Sequence, residues 1–256
     1  MVSTTLPVSL LISNPVTREF LSLPIHSIGE NGDCYGFGFS PISDVYKLVQ
    51  VTSLGGEPDQ VMVLTIGSGI WRNIGHPGYS FYRVKPRHGI YLNGVLHWIG
   101  RSCRDRSRRL VCAFDVESEG FQELPLPLSS DALRRTYFKL GVLKGWLSVI
   151  HKVNDVIIVW VMKDYGVKES WTKELEFKEP VGSFVTSILK FTDQGQVLGL
   201  HDNQLMAYTL ATTNLVSVKV DGLPSRISQA WELVPSFVLL KDIAGGLQLE
   251  GTICQS

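Results

Sequence analysis

Hydrolytic, metal-dependent and phosphate-binding chemistry each need a few residue types at fixed spacing, and this chain lacks those spacings. A nucleophile elbow needs Gly-x-Ser-x-Gly, whereas the segment around Ser80 reads GYSFY. Zinc needs clustered Cys and His, but the six histidines and four cysteines are scattered, without HExxH or CxxC. Gly36-Phe-Gly38 is followed by Pro41 where a phosphate loop needs a third glycine, which favours a strand with close backbone approach. We therefore expect no catalytic residue, no metal and no cofactor.

Paired carboxylates are the remaining route to catalysis, because glycosidases use two of them and some glycosidases are propellers. The candidate aspartates lie mostly at predicted turns, where Asp usually hydrogen-bonds its own backbone. These aspartates are Asp44, Asp115, Asp155, Asp193 and Asp202. No pair among them stands out, so a sugar-active propeller hydrolase is kept only as the alternative to a binding role.

The most distinctive charged feature is an arginine-rich segment. Residues 101–109 read RSCRDRSRR, with five arginines and one aspartate. Arginine binds carboxylates and phosphates through two parallel hydrogen bonds, so the segment indicates an acidic or phosphorylated partner, the alternative being a solvated loop. Arginines and exposed aromatic residues are the usual anchors of protein interfaces. The candidate protein-binding residues are therefore Tyr79, Phe81, Tyr82, Arg101, Arg104, Arg106, Arg108, Arg109, Arg134 and Arg135.

The elements that must position these residues follow an internal repeat. A polar residue stands six positions before a large apolar residue in NPVTREF (14–20), TIGSGIW (65–71), DVESEGF (115–121) and TLATTNL (209–215), and MKDYGVKESW (162–171) carries a longer version of the same turn. The apolar anchors are Phe20, Trp71, Phe121, Trp171 and Leu215, separated by 51, 50, 50 and 44 residues. A period of about fifty residues predicts a β-propeller near the kelch type.

A second marker has almost the same period. The turns Ser43-Asp44, Asn93-Gly94, Lys144-Gly145 and Gln194-Gly195 are each followed by a short apolar strand. Each unit is therefore interpreted as two hairpins, an inner one around this turn and an outer one around the anchor turn. One small sheet cannot bury both of its faces, and stacking such sheets around an axis covers them. The alternative is a β-sandwich with coincidental spacing.

We predict an all-β propeller-like array of about five four-stranded blades. The first blade is incomplete, because only its outer hairpin is recognisable, between Ser9 and Leu23. We expect the apolar segment 231–240 to form a C-terminal strand that closes this blade. Residues 1–243 are predicted to form the interaction domain, and residues 244–256 a disordered tail.

Composition limits the classes of partner. Lys plus Arg and Asp plus Glu both number 24, so no net field attracts nucleic acid or an acidic membrane surface. The longest apolar run, 156–162, is too short to cross a bilayer. The amino terminus lacks a basic signal-peptide region, and no Asn-x-Ser/Thr site occurs. We therefore expect a cytoplasmic or nuclear protein that binds neither nucleic acid nor membrane.

Between Ser9 and Leu240 the chain resembles the kelch-like F-box-associated interaction domain of plant F-box proteins. The segments that carry the resemblance are SNPVTREFLSLP (13–24), YGFGFSPISDVYKLVQV (35–51), GIYLNGVLHWI (89–99), LVCAFDVESEGFQELPLP (110–127), LGVLKGWLSVI (140–150) and VWVMKDYGVKESWTKEL (159–175). The last segment and the YGFGF run are the most specific of these.

The resemblance implies a non-enzymatic adaptor. In that family an F-box helix bundle docks the Skp-type adaptor of a cullin-RING ubiquitin ligase, and the associated domain captures the target protein for ubiquitination. The present sequence contains no recognisable F-box, so we expect a Skp-type adaptor to bind only if an F-box is supplied elsewhere. The chain is then a substrate-recognition component, expected to be a monomer within a complex, or a truncated form lacking the F-box that competes for the target. A non-functional truncated product is a further alternative.

Overall fold

The computed structural model describes most of the chain. The described residues are 10–24, 33–52, 59–81, 88–105, 108–128, 137–178, 185–192, 195–201, 203–210, 212, 214–222, 227, 236–245, 247 and 249–252. Within them lie twenty β-strands in five sheets, one 3₁₀ turn at Lys168–Ser170 and one α-helix, α1, at Leu240–Ile243. The predicted all-β fold class is therefore confirmed.

The chain divides into two compact units, and the first comprises residues 1–126 and 235–256. Three antiparallel sheets belong to it. The first sheet contains β1 (Leu10–Asn14), β2 (Glu19–Leu23) and β20 (Leu249–Thr252); the second contains β3 (Cys34–Ser40), β4 (Val45–Thr52), β5 (Gln60–Thr65) and β6 (Trp71–Gly75); the third contains β7 (Tyr79–Ser80), β8 (Ile90–Leu92), β9 (Val95–Ser102), β10 (Arg109–Asp115) and β11 (Gly120–Leu124). In the third sheet β7 and β8 both pair with β9, at opposite ends of that strand.

The second unit comprises residues 127–234 and contains two four-stranded antiparallel sheets. The fourth sheet contains β12 (Tyr137–Leu143), β13 (Trp146–Val153), β14 (Val156–Met162) and β15 (Trp171–Lys178); the fifth contains β16 (Val185–Phe191), β17 (Gln196–His201), β18 (Gln204–Thr209) and β19 (Asn214–Ser217). Their facing side chains form one apolar cluster, in which the rings of Phe177 and Tyr208 stack 5.0 Å apart.

The inner hairpins form at the predicted turns. Asn93 and Gly94 both have positive φ, 48° and 84°, and Lys144 and Gly145 repeat the pattern with 52° and 81°. Asn and Gly adopt this backbone at little cost, and two positive φ values match the twist of a tight hairpin. The turn residues therefore fix where each inner hairpin reverses.

The predicted anchors occupy equivalent positions in all five sheets. Each is the first or second residue of the strand that follows the outer turn, and each pairs with a residue of the strand before it. The pairs are Phe20 with Ser13, Trp71 with Leu64, Phe121 with Phe114, Trp171 with Met162, and Leu215 with Tyr208. This common register confirms that the repeat read from the sequence is structural.

The second and third sheets pack face to face through an apolar core. Trp98, Phe114 and Leu96 are at most 1% exposed there. The approach is close enough that a Cβ atom at Gly36 would overlap the indole of Trp98, and one at Gly38 would lie 2.9 Å from Val116. The predicted close backbone approach at Gly36 and Gly38 is thus confirmed.

The expected C-terminal strand over residues 231–240, which was to close the first blade, is not formed in the described part of that segment. Residues 236–239 have no regular structure and Leu240 begins α1, while residues 231–235 lie outside the described part. Side chains rather than a strand ladder hold this segment. The Asn14 amide donates to the carbonyls of Ser236 (3.0 Å) and Val238 (2.9 Å), and Glu19 accepts from the Leu240 amide (2.7 Å).

The closing strand instead comes from the segment that was expected to be a disordered tail. β20, Leu249–Thr252, pairs antiparallel with β2, with Glu19 opposite Thr252 and Leu21 opposite Leu249. The outer edge of β2 offers backbone donors and acceptors, and pairing satisfies them. The prediction of disorder was therefore wrong for residues 249–252.

Candidate protein-binding surface

The arginine-rich segment lies in the loop that joins β9 to β10 in the third sheet. The loop is held by its own hydrogen bonds: the Ser102 amide donates to the Arg108 carbonyl (3.0 Å), and the Arg108 amide donates to the Asp105 carbonyl (2.9 Å). The Ser102 hydroxyl accepts from the amides of Arg104 (3.2 Å) and Asp105 (3.3 Å). Since β9 and β10 extend into the buried core of the sheet, this loop is presented from a rigid support.

Two of the arginines face each other across the strand pair. Arg101 and Arg109 are directly opposite in the register of β9 and β10, so their side chains leave the same face of the sheet. Both are partly exposed. Burial, and then the charge of Arg101, lower the pKa of Arg109.

On the opposite face of the third sheet, the charge of Arg108 is neutralised by an ion pair. Arg108 forms an ion pair with Glu123, on β11. Tyr79 on β7 pairs with Ser102 and packs against the core of the second and third sheets. Burial raises the pKa of Tyr79, whereas the nearby Arg108 lowers it. Within the described part of the segment, the strand register therefore places Arg101 and Arg109 on one face of the sheet and Arg108 on the other.

Phe81 was predicted as a surface contact, and that prediction was wrong. Its side chain is only 3% exposed and meets the Trp98 ring edge to face at 6.2 Å. Its amide donates to the Asp59 carboxylate. The alternation of Tyr79, Ser80 and Phe81 along the chain places the two aromatic residues on the same, core-facing side.

Four other predicted contact residues lie outside the described part of the chain. They are Tyr82, Arg106, Arg134 and Arg135. Arg104 lies in the described part of the loop and is exposed. The predicted surface is therefore described at Tyr79, Arg101, Arg104, Arg108 and Arg109.

Two exposed aromatic residues, one on the second sheet and one on the third, were not predicted. Phe37, on β3, is 39% exposed and stacks on Tyr46 with ring centroids 5.5 Å apart. Tyr91, on β8, is 37% exposed and donates its hydroxyl hydrogen to the Phe39 carbonyl (2.8 Å). The alternation of Phe and Gly in YGFGFS was the available signal, because glycines on one face leave the phenylalanines on the other.

Three acidic residues cluster in the turn between β10 and β11. Hydrogen bonds from the Ser118 amide and hydroxyl lower the pKa of Asp115. The hydroxyls of Ser40 and Ser43 donate to Glu117 and lower its pKa.

The third member of this cluster, Glu119, is held by two cations. Burial raises its pKa, but Arg72 and Lys47 outweigh burial and lower it. A glycosidase acid requires a raised pKa, so none of these carboxylates suits that role.

His97 is fully buried on β9, where its Nδ1 atom lies 3.0 Å from the Ile90 carbonyl oxygen. Nδ1 therefore carries the proton and donates. Burial lowers the pKa of His97 to about 4, and the residue is a hydrogen-bonded core histidine. No group of three or more potential metal-binding side chains occurs within the described ranges. No helix in that same part of the chain is both long and apolar enough to cross a membrane.

The chain matches known proteins over most of its length. The model of the F-box associated beta propeller domain matches residues 2–234. F-box protein At3g07870 of Arabidopsis thaliana is 32% identical over 208 residues, which is 71% of this chain and 48% of the relative. F-box protein CPR1 of the same plant is 27% identical over 267 residues, which is 91% of this chain and 64% of the relative.

A kelch-type relative is also similar. F-box/kelch-repeat protein At3g23880 of Arabidopsis thaliana is 32% identical over 174 residues, covering 65% of this chain and 47% of the relative. The aligned part thus spans between about half and two thirds of these curated relatives. The five sheets with a common register are the repeated blades, and the predicted propeller fold and family resemblance are confirmed. The chain belongs to the F-box associated β-propeller domain family.

Proposed function

We propose that this chain is the target-capturing domain of a Skp–cullin–F-box ubiquitin ligase, working in the cytoplasm or nucleus. The observation that carries the proposal is the family match over residues 2–234, together with relatives that are F-box proteins. In this proposal an F-box, supplied by a longer form or another subunit, docks the Skp-type adaptor. The propeller itself binds the protein to be ubiquitinated.

The loop between β9 and β10 is the first candidate contact surface. Loops on a rigid sheet commonly carry binding residues, and Arg104 and Arg108 are exposed there. The exposed rings of Phe37 and Tyr91 are two further candidate contacts, because aromatic anchors dominate many interfaces. A partner with acidic and apolar segments would complement the arginine loop and these rings.

A reconstituted ubiquitination assay tests the adaptor role. Proteins captured by the chain from plant extract would be purified and offered to a cullin-RING ligase, with the chain either alone or fused behind an F-box. We expect ubiquitination only with the fusion, and inhibition when the unfused chain is added in excess as a competitor. A captured set that the fused ligase never modifies would contradict the adaptor role.

Charge reversal tests the arginine loop within the same assay. Replacing Arg104, Arg106 and Arg108 by Glu should weaken capture without lowering the unfolding midpoint, since the exposed side chains of Arg104 and Arg108 contribute little to stability. The matched control reverses three exposed lysines, Lys168, Lys219 and Lys241. Equal capture by both triple variants would remove the loop from the binding surface.

A further inference from the structure

The inner turns of the second and third sheets lie side by side. The first, residues 41–44, joins β3 to β4, and the second, around Gly94, joins β8 to β9. A Cβ atom built at Gly94 would lie 3.8 Å from the Pro41 side chain. The Tyr91 hydroxyl, next to the second turn, donates to the Phe39 carbonyl at 2.8 Å. The two turns therefore adjoin each other and present one stretch of surface.

Two apolar side chains are exposed on this stretch. Ile42, in the first turn, is 80% exposed, and Tyr91 is 37% exposed. Single exposed isoleucines are common on protein surfaces, but this one belongs to a turn that is held in place. The hydroxyls of Ser40 and Ser43 both donate to Glu117 of the third sheet, from Ser43 at 2.6 and 2.7 Å. A turn that is already fixed loses little conformational entropy when a partner binds.

Carboxylates surround these apolar residues. The turns at this end of the second and third sheets are residues 41–44, 66–70, 93–94 and 116–119. They contain three carboxylates, Asp44, Glu117 and Glu119, and no lysine or arginine. Glu119 is neutralised by its ion pairs with Lys47 and Arg72. Asp44 is exposed and Glu117 is partly exposed, so the surface carries a local negative charge although the whole chain is neutral.

The chemistry of the partner follows from this combination. Exposed apolar residues rimmed by carboxylates complement a large apolar side chain that stands next to lysine or arginine. Nucleic acid and anionic membranes are themselves negative and would be repelled. Resting on the proposed target-capturing function, we propose that Ile42 and Tyr91 bind an apolar residue of the captured protein, and that Asp44 and Glu117 bind a basic residue beside it.

This contact is separate from the arginine loop. The loop follows β9, whereas the turn around Gly94 precedes it, so the two lie at opposite ends of that strand. The eight residues of β9 span about 25 Å at the rise of an extended strand. Reversing the charge of the arginine loop should therefore leave binding at the inner turns unchanged.

Fluorescence anisotropy with labelled peptide libraries tests the assignment. The probe is a degenerate nonapeptide library with a fixed central Lys-Phe-Lys, compared with libraries fixed as Glu-Phe-Glu and as Lys-Ser-Lys. We expect the first library to bind at least about tenfold more tightly than either of the others. Ile42→Ala should weaken its binding about tenfold. Asp44→Asn with Glu117→Gln should remove the preference for lysine, while the Gln carbonyl still accepts hydrogen bonds from the serine hydroxyls.

Each variant has a matched control outside the inner turns. Ile70→Ala removes an isoleucine that is 68% exposed on the outer turn of the second sheet. Asp164→Asn with Glu169→Gln removes two exposed carboxylates between β14 and β15. Both controls should bind the first library like wild type. Thermal unfolding separates loss of binding from loss of fold, and Asp44→Asn alone supplies a second charge variant at an exposed residue.

Three results would overturn the proposal. They are equal binding of the three libraries, unchanged binding by Ile42→Ala, and an equal loss of binding in Ile70→Ala. If one of them occurred while the chain fused behind an F-box still supported ubiquitination, the adaptor role would stand without this contact. If the libraries behaved as expected and ubiquitination failed, the contact would stand and the adaptor role would not.

Discussion

The ammonium group of Lys47 is buried where the second and third sheets meet. Its Nζ atom donates to the Val116 carbonyl at 2.7 Å and lies 2.9 Å from a Glu119 oxygen, with 8% of the side chain exposed. Arg72 binds the same carboxylate at 2.6 Å, but 51% of its side chain is exposed. The two cations therefore share one partner and differ in burial, which makes them a matched pair for measuring what burial contributes.

Replacing Lys47 by Ala should lower the free energy of unfolding by about 2–4 kcal/mol, because a buried carbonyl and carboxylate lose their partner. Arg72→Ala should cost only about 0–1 kcal/mol, as expected for an exposed ion pair. Urea denaturation at neutral pH measures both. Equal losses would show that burial does not set the strength of this contact.

Acid should narrow the difference between wild type and the Lys47 variant. Although burial raises the pKa of Glu119, its contacts with Arg72 and Lys47 lower it below the ordinary value of 4.5. A carboxylate with a depressed folded pKa stabilises the protein above its unfolded pKa, and this stability is lost as pH falls through the folded pKa. The gap between the two proteins should therefore be constant near neutral pH and shrink below about 4.5.

At the level of strands and turns, the sequence predicts structure best where the local backbone preference of a residue determines the conformation. The Asn93-Gly94 and Lys144-Gly145 turns form where expected, because the glycines accept positive φ. The closure of the first sheet was not predictable in this way. Side-chain hydrogen bonds from Asn14 and Glu19 hold the C-terminal segment, and such long-range contacts leave no local pattern.

At the candidate site, too, the sequence predicts local features but not those that depend on contacts between distant residues. The arginine loop is evident from composition, but its split into two faces depends on the register of β9 with β10, which pairs Arg101 with Arg109. Phe81 was misplaced because it follows a strand of only two residues, β7, and is buried by the core cluster of the second and third sheets. Short strands give too few alternating positions to distinguish a buried from an exposed aromatic residue.

Packing between sheets makes a sharp prediction at Gly36. Adding a Cβ atom there would overlap the Trp98 ring, whose position is fixed by the core and by its hydrogen bond to the Tyr35 carbonyl. Gly36→Ala should therefore cost about 1–3 kcal/mol through overpacking. Gly120→Ala is the control, because the nearest atom to its Cβ would be 3.6 Å away. Chemical denaturation should separate the two, and a Gly36 variant as stable as the control would refute the close approach.

At the scale of the whole molecule, stability resides between sheets rather than within them. One apolar cluster joins the first and second sheets, another the second and third, and a third the fourth and fifth. In repeated architectures each unit is stabilised mainly by its neighbours. Since one cluster joins the second and third sheets, we expect these two sheets to unfold together.

Phe114→Ala tests that cooperativity. Phe114 is fully buried in the first compact unit, and its loss should lower the free energy of unfolding by about 3–5 kcal/mol. Amides that exchange only by global unfolding should then exchange faster by a common factor in the second and third sheets, in β4 and β5 as well as in β9 and β10. Hydrogen–deuterium exchange measures this, with Val216→Ala, at a residue 58% exposed, as the control. Unchanged protection of β4 and β5 would mean that the second and third sheets unfold independently of each other.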